Sequence, residues 1–106
     1  MDNDTIVAKG VSGLEYTFSV CPWGTELQKR GGVYMILKKT DKNGDYTILY
    51  VGQTGDLSED FDNHPKKPCF DRNGKTHIAI LPESFELNRQ SIESDLIRSC
   101  NPVCNF

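Results

Sequence analysis

Four side chains in this sequence could do chemistry together: the phenols of Tyr34 and Tyr50, the imidazole of His64 and the carboxylate of Glu93. Phenols and imidazoles pass protons, and carboxylates hold protons or hard cations. Tyr34 ends the segment Gly32-Val33-Tyr34, and Tyr50 opens Tyr50-Val51-Gly52-Gln53-Thr54. Glu93 lies in Ile92-Glu93-Ser94-Asp95-Leu96-Ile97. Taken singly, each residue has a plainer reading. A tyrosine in a strand usually packs a core or its rim. Glu93 follows Arg89 by four residues, so an exposed ion pair along a helix accounts for it. His64 at a helix C-terminus fits dipole stabilisation worth about 0.3–1 kcal/mol. Only the joint pattern lifts a functional reading above these.

The elements that must position these groups follow from periodicity. Thr5–Lys9 and Leu14–Cys21 are β-rich runs around the turn Gly10-Val11-Ser12-Gly13, which predicts a leading hairpin. In the second run Leu14, Tyr16, Phe18 and Val20 alternate with Glu15, Thr17 and Ser19, so one face is buried and one is wet. Val33–Lys39 and Tyr46–Val51 flank Asp41-Lys42-Asn43-Gly44-Asp45, a turn sequence because Asn-Gly tolerates positive φ. That hairpin carries both tyrosines. Asp56 or Ser58 is placed to cap a short helix reaching His64, with Pro65 and Pro68 stopping it. Thr76–Leu81 reads as a further strand and Glu83–Ser99 as the main helix, ended before Pro102. The expected order is β-β-β-β-α-β-α, an α+β domain on one mainly antiparallel sheet flanked by helices.

In this order, the two tyrosine segments, Gln53-Thr54, His64, Glu93, and Pro102 followed by Asn105 resemble the GIY-YIG nuclease family. The resemblance runs over residues 32–106, with residues 1–31 as an N-terminal β-hairpin extension of the sheet. It implies metal-dependent hydrolysis of DNA phosphodiester bonds, with Tyr34, Tyr50, His64 and Glu93 as catalytic residues and one Mg²⁺ or Mn²⁺ ion held at Glu93. One carboxylate, with water and phosphate in the remaining positions, is ordinary magnesium behaviour. Tyr34 is then the group that activates the water, with Tyr50 and His64 moving protons or holding the phosphate. A phenol of pKa about 10 is a poor base, so it needs the metal nearby.

Asp60 breaks the pattern. The resemblance asks for an arginine four residues before His64, where a guanidinium fork suits a phosphate. Aspartate there reverses the sign. At about 5 Å and an effective dielectric of about 20, each unit pair is worth about 3 kcal/mol, a swing of about 6 kcal/mol. Catalysis of the family's kind is expected to be weakened. Three escapes exist: Asp60 joins Glu93 as a second metal ligand, Arg72 or Lys75 supplies the missing cation to the phosphate, or the domain only binds DNA or a protein. Lys66, Lys67, Arg72 and Lys75 make a basic stretch, preceded by the acidic residues Asp56, Glu59, Asp60 and Asp62. The acidic cluster reads as a solvated helix face.

At 106 residues the chain has room for one modest core. Its net charge of −3 lacks the basic footprint of a nucleic-acid binder, leaving local patches to do any binding. No apolar run reaches the length of a membrane span and the start MDNDTIVAKG does not read as a signal peptide, so a cytoplasmic location without a membrane partner is expected. The cysteines are Cys21, Cys69, Cys100 and Cys104. Cys100-Asn-Pro-Val-Cys104 has loose metal-ligand spacing that His64, His77 or Cys69 could complete, but a second close pair is lacking, so plain reduced thiols are favoured. Three readings stand: an active endonuclease domain, a non-catalytic module of the same fold that binds nucleic acid or protein, and an unrelated α+β domain. Tyr34 and Tyr50 on opposite faces of the sheet would favour the last.

Overall fold

A computed structural model describes residues 4–40 and 45–105. Five strands form the sheet: β1 (Asp4–Lys9), β2 (Glu15–Pro22), β3 (Gly32–Lys39), β4 (Tyr46–Thr54) and β5 (His77–Pro82). Two α-helices, α1 (Lys67–Arg72) and α2 (Glu86–Cys100), and 3-10 helices at Phe61–Asn63 and Val103–Asn105 complete the chain. The sheet order is β1-β2-β5-β3-β4, and every pairing is antiparallel. The fold is therefore the expected α+β class. The leading hairpin joins the sheet through β2, which pairs with β5. The sheet curls until its two edge strands approach, and the Tyr46 hydroxyl donates to Asp4 at 3.4 Å.

Alternation sorts the strands' side chains into two cores. On one face Phe18, Val20, Val33, Met35, Leu37, Val51 and Ala79 pack with Leu96, Ile92 and Ile97 of α2. On the other, Tyr34, Ile36, Leu49, Ile78, Leu57, Phe70 of α1 and Cys104 are buried together. Between Tyr16, half-buried, and the buried Phe18 and Val20, the alternation of β2 is as expected; Leu14 falls before the strand and is exposed.

Two local expectations are corrected. The helix ending at His64 shrinks to the 3-10 turn Phe61–Asn63, which Asp60 caps by accepting the Asp62 N–H. Asp56 instead closes its own loop, accepting the Ser58 N–H at 2.9 Å and the Ser58 hydroxyl at 2.5 Å. The helix forms after the prolines, at Lys67–Arg72, with Pro68 in its first turn. Proline is compatible there because those N–H groups have no partner within the helix. The second correction concerns the cysteines: Cys69 and Cys104 form a disulfide, leaving Cys21 and Cys100 as thiols. The Asn-Gly turn at Asp41–Gly44 lies outside the described residues.

Candidate functional site

Tyr34 sits on the central strand β3 and faces Gly52 of β4 across the ladder. Strand alternation alone would send Tyr50 to the other face, because Ile48 pairs with Leu37 and packs with the α2-side core. A β-bulge prevents this. The register steps from Leu37↔Ile48 to Ile36↔Tyr50, so Leu49 is the extra residue and Tyr50 turns to Tyr34's side. Bulges commonly re-aim a side chain in this way. The two rings lie 6.1 Å apart between centroids. Gly52 makes room for them: a Cβ there would lie 2.6 Å from the Tyr34 hydroxyl and 2.8 Å from the Tyr50 ring. The glycine of Tyr50-Val51-Gly52 is thus a steric requirement of the tyrosine pair.

His64 follows the 3-10 turn in an extended conformation and closes over both phenols. Its ring centroid lies 5.0 Å from that of Tyr50 and 5.1 Å from that of Phe70. The Lys66 backbone N–H donates to His64 Nδ1 at 3.0 Å, which keeps that nitrogen unprotonated. The neutral ring therefore carries its proton on Nε2 and donates it to the Tyr34 hydroxyl oxygen at 2.9 Å. Burial holds the His64 pKa below its ordinary value, Glu59 opposing and Lys66 reinforcing, so the ring is neutral near pH 7. Tyr34's own proton is left on the side of Tyr50, whose ring centroid lies 6.1 Å from that of Tyr34.

Glu93 reaches the same place from the opposite side of the sheet. α2 covers the other core, but β4 is an edge strand, and Glu93 stands beside it facing the Gln53 backbone amide. Burial raises its carboxyl pKa, partly offset by that amide. Its charge acts on both tyrosines. Burial, Tyr50, Glu59 and Glu93 together push the Tyr34 pKa far above the ordinary phenol value, and burial followed by Glu93 raises that of Tyr50. The plainer account of Glu93 does not hold. Arg89 is buried and turns away, its Nε donating to the Gln53 side chain at 2.9 Å and an Nη to the carbonyls of Glu83 (3.1 Å) and Ser84 (2.8 Å).

Asp60 is occupied with local structure. Its carboxylate accepts the Asp62 N–H at 2.9 Å and the Asn63 side-chain amide at 2.8 Å. It opens on a cleft of about 260 Å³ walled by Trp23, Leu27, Leu57 and Phe61. The carboxylate whose field reaches Tyr34 and His64 is that of its neighbour Glu59, fixed by the Thr54 hydroxyl at 2.7 Å. Of the two expected phosphate-binding cations, Lys75 is paired with Asp71 and lies over the Trp23 ring at 4.8 Å. Arg72 lies exposed in the last turn of α1.

The structure thus brings together Tyr34, Tyr50, His64 and Glu93, and adds Glu59 and Lys66. Neither addition was legible as a site residue, since Glu59 sits in an acidic run and Lys66 in a basic one. The signal that could have found Glu59 is Thr54, the one short hydroxyl side chain immediately after the second tyrosine segment able to fix a nearby carboxylate. Among the described residues, no three His, Cys, Asp or Glu side chains gather as a metal-binding group, and no helix is long and apolar enough to cross a membrane. Comparison with family models, curated proteins and solved structures finds no match to this chain.

Proposed function

We propose that the chain is a metal-dependent DNA phosphodiesterase domain similar to the GIY-YIG nucleases, weakened by the lack of an arginine at Asp60. The observation that carries this reading is the convergence of two phenols, one imidazole and one carboxylate from β3, β4, the segment before α1, and α2. Four groups of complementary chemistry from four elements are more than core packing needs.

The residues fit a hard divalent cation. Glu93 is a half-buried carboxylate with a raised pKa, it pairs with no cation among the described residues, and its field raises both neighbouring phenols. A cation there would relieve all three at once. One carboxylate is a sparse donor set, which suits Mg²⁺ or Mn²⁺ that retain water and take phosphate oxygens. When bound, the ion would neutralise phosphoryl charge and lower the pKa of a nearby water or phenol. The protein's own part is to hold Tyr34. The His64 Nε2–H donates to the Tyr34 oxygen and so supports a phenolate there rather than taking its proton. Tyr50, its ring 6.1 Å from that of Tyr34 between centroids, is the neighbouring phenol toward which that proton would pass.

A second reading, a non-catalytic module that binds nucleic acid or a protein, rests on the acidic surroundings. Glu59 and Glu93 both act on Tyr34, while Asp60 offers a phosphate nothing. The deciding test is cleavage of plasmid and branched DNA with Mg²⁺ or Mn²⁺ by the wild type, Glu93→Ala and Asp60→Arg. Metal-dependent cleavage that Glu93→Ala abolishes is the expected result. Binding without cleavage in the wild type would overturn it in favour of the second reading, most clearly if Asp60→Arg then cut.

A further inference from the structure

We infer that Lys66 supplies the positive charge that a phosphate needs at the Tyr34–His64 pair. The inference rests on the nuclease reading and names the residue that takes over a role Asp60 cannot fill. A phosphodiester entering between Tyr34, His64 and Glu93 meets the carboxylates of Glu59 and Glu93, and requires a cation from nearby.

The basic residues around the site differ in whether they are free to act. Lys67 pairs with Asp71 at 2.8 Å, and Lys75 pairs with the same carboxylate while lying over Trp23. Arg89 is buried and bonded to Gln53 and two carbonyls. Lys66 has none of these ties: among the described residues, no carboxylate lies in ion-pair contact with it. Its place is fixed by three hydrogen bonds of its own backbone. Its N–H donates to His64 Nδ1 at 3.0 Å, and its carbonyl accepts the N–H groups of Cys69 and Phe70 at the start of α1. The side chain is half-buried, and its charge reaches the His64 ring. The same residue therefore sets the His64 tautomer through its backbone and offers an unpaired ammonium through its side chain. A lysine engages phosphate as a point charge, without the two-pronged geometry of arginine, so affinity survives better than positioning.

The test is binding of a short fluorescent DNA duplex, with Ca²⁺ as the divalent ion, by the full chain and by Lys66→Gln, Lys66→Arg and Lys67→Gln. The His64 ring resonances are followed in the same titrations. Lys66→Gln is expected to lose about tenfold in affinity and about 1 in the slope of log K against log salt. It also loses the DNA-induced shift of the His64 ring. Lys66→Arg should stay near wild type, and Lys67→Gln should change little because its charge is already paired with Asp71. Lys66→Gln with wild-type affinity, slope and His64 shift would overturn the assignment while leaving the nuclease reading standing. A wild type whose His64 ring ignores DNA altogether would overturn both.

Discussion

Glu93 is the residue at which the proposed function and stability pull in opposite directions. Burial holds its carboxyl above the ordinary value of 4.5. A carboxyl raised by folding contributes stability that is complete below its unfolded pKa and is lost as pH rises through the folded one. At pH 7 the ionised Glu93 therefore opposes folding, and Glu93→Gln should melt above the wild type while losing metal-dependent cleavage. The difference should close below about pH 4, where both side chains are neutral. Adding Mg²⁺ should raise the Tm of the wild type and leave that of the variant unchanged. Thermal melts at three pH values check this, and equal stabilisation of both proteins by Mg²⁺ would remove Glu93 as a ligand. His64 runs the other way, because its lowered pKa gives stability present above its ordinary value of 6.5 and lost as pH falls. At this scale the resemblance to the GIY-YIG nucleases is what singles out Tyr34, Tyr50, His64 and Glu93, and the structure places the two phenols and the imidazole side by side. What could not be read was how they meet. Nothing in Tyr46–Thr54 marks Leu49 as the extra residue of a bulge, and without the bulge Tyr50 would lie with Ile48 on the α2 side.

The elements around the site are held by two short pieces of chain. α1 supports the site from below: its Phe70 lies 5.4 Å from Tyr50 and 5.1 Å from His64 between ring centroids. The 3-10 turn Val103–Asn105 secures β4 from outside. The Asn105 side chain accepts the Val51 N–H and donates to the Val51 carbonyl, both at 2.9 Å, between Tyr50 and Gly52. That pair satisfies an edge strand that would otherwise present free backbone groups. The Cys69–Cys104 disulfide joins these two pieces across a sequence separation of 35. Closing a loop of that length contributes about 2–4 kcal/mol, chiefly by restricting the unfolded chain. Cys104→Ser should lower the urea midpoint accordingly, and dithiothreitol should bring the wild type down to the variant. A wild type indifferent to reductant would show that the bond adds nothing. The strands and α2 were readable because their periods run long enough to show. The helix near His64 was misplaced because Asp56, Ser58 and Asp60 all carry capping chemistry, and the chain uses two of them for turns. The cysteine pairing was invisible because Cys69 and Cys104 meet only once the tail has crossed the sheet's edge.

For the whole molecule the open question is whether the first 31 residues are an appendage of the tyrosine-bearing part or belong to its core. The sheet order decides for the core. β2 lies between β1 and β5, and β5 in turn pairs with β3, which carries Tyr34. Phe18, at 0% exposure, and Val20 fill the face that α2 covers, in one cluster with Met35, Leu37 and Leu96. α2 is also clasped directly to the leading turn. The Asp95 carboxylate accepts the Ser12 hydroxyl at 2.6 Å, the Ser12 N–H at 2.9 Å and the Tyr16 hydroxyl at 2.8 Å. Glu93 lies two residues away on the same helix, so the clasp fixes the helix that presents the carboxylate. Losing one buried phenylalanine costs about 3–5 kcal/mol, against a total stability of roughly 5–15 kcal/mol for a domain. Removal of residues 1–22 takes Phe18, Val20, Ala8 and the Asp95 clasp together, and it uncovers the β5 edge to intermolecular pairing. The truncated chain should therefore be insoluble or lack dispersed amide resonances, even though it keeps Tyr34, Tyr50, His64 and Glu93. A folded truncate with wild-type dispersion would show that the smaller unit suffices. In that case the site would depend only on β3–β5 and the two α-helices.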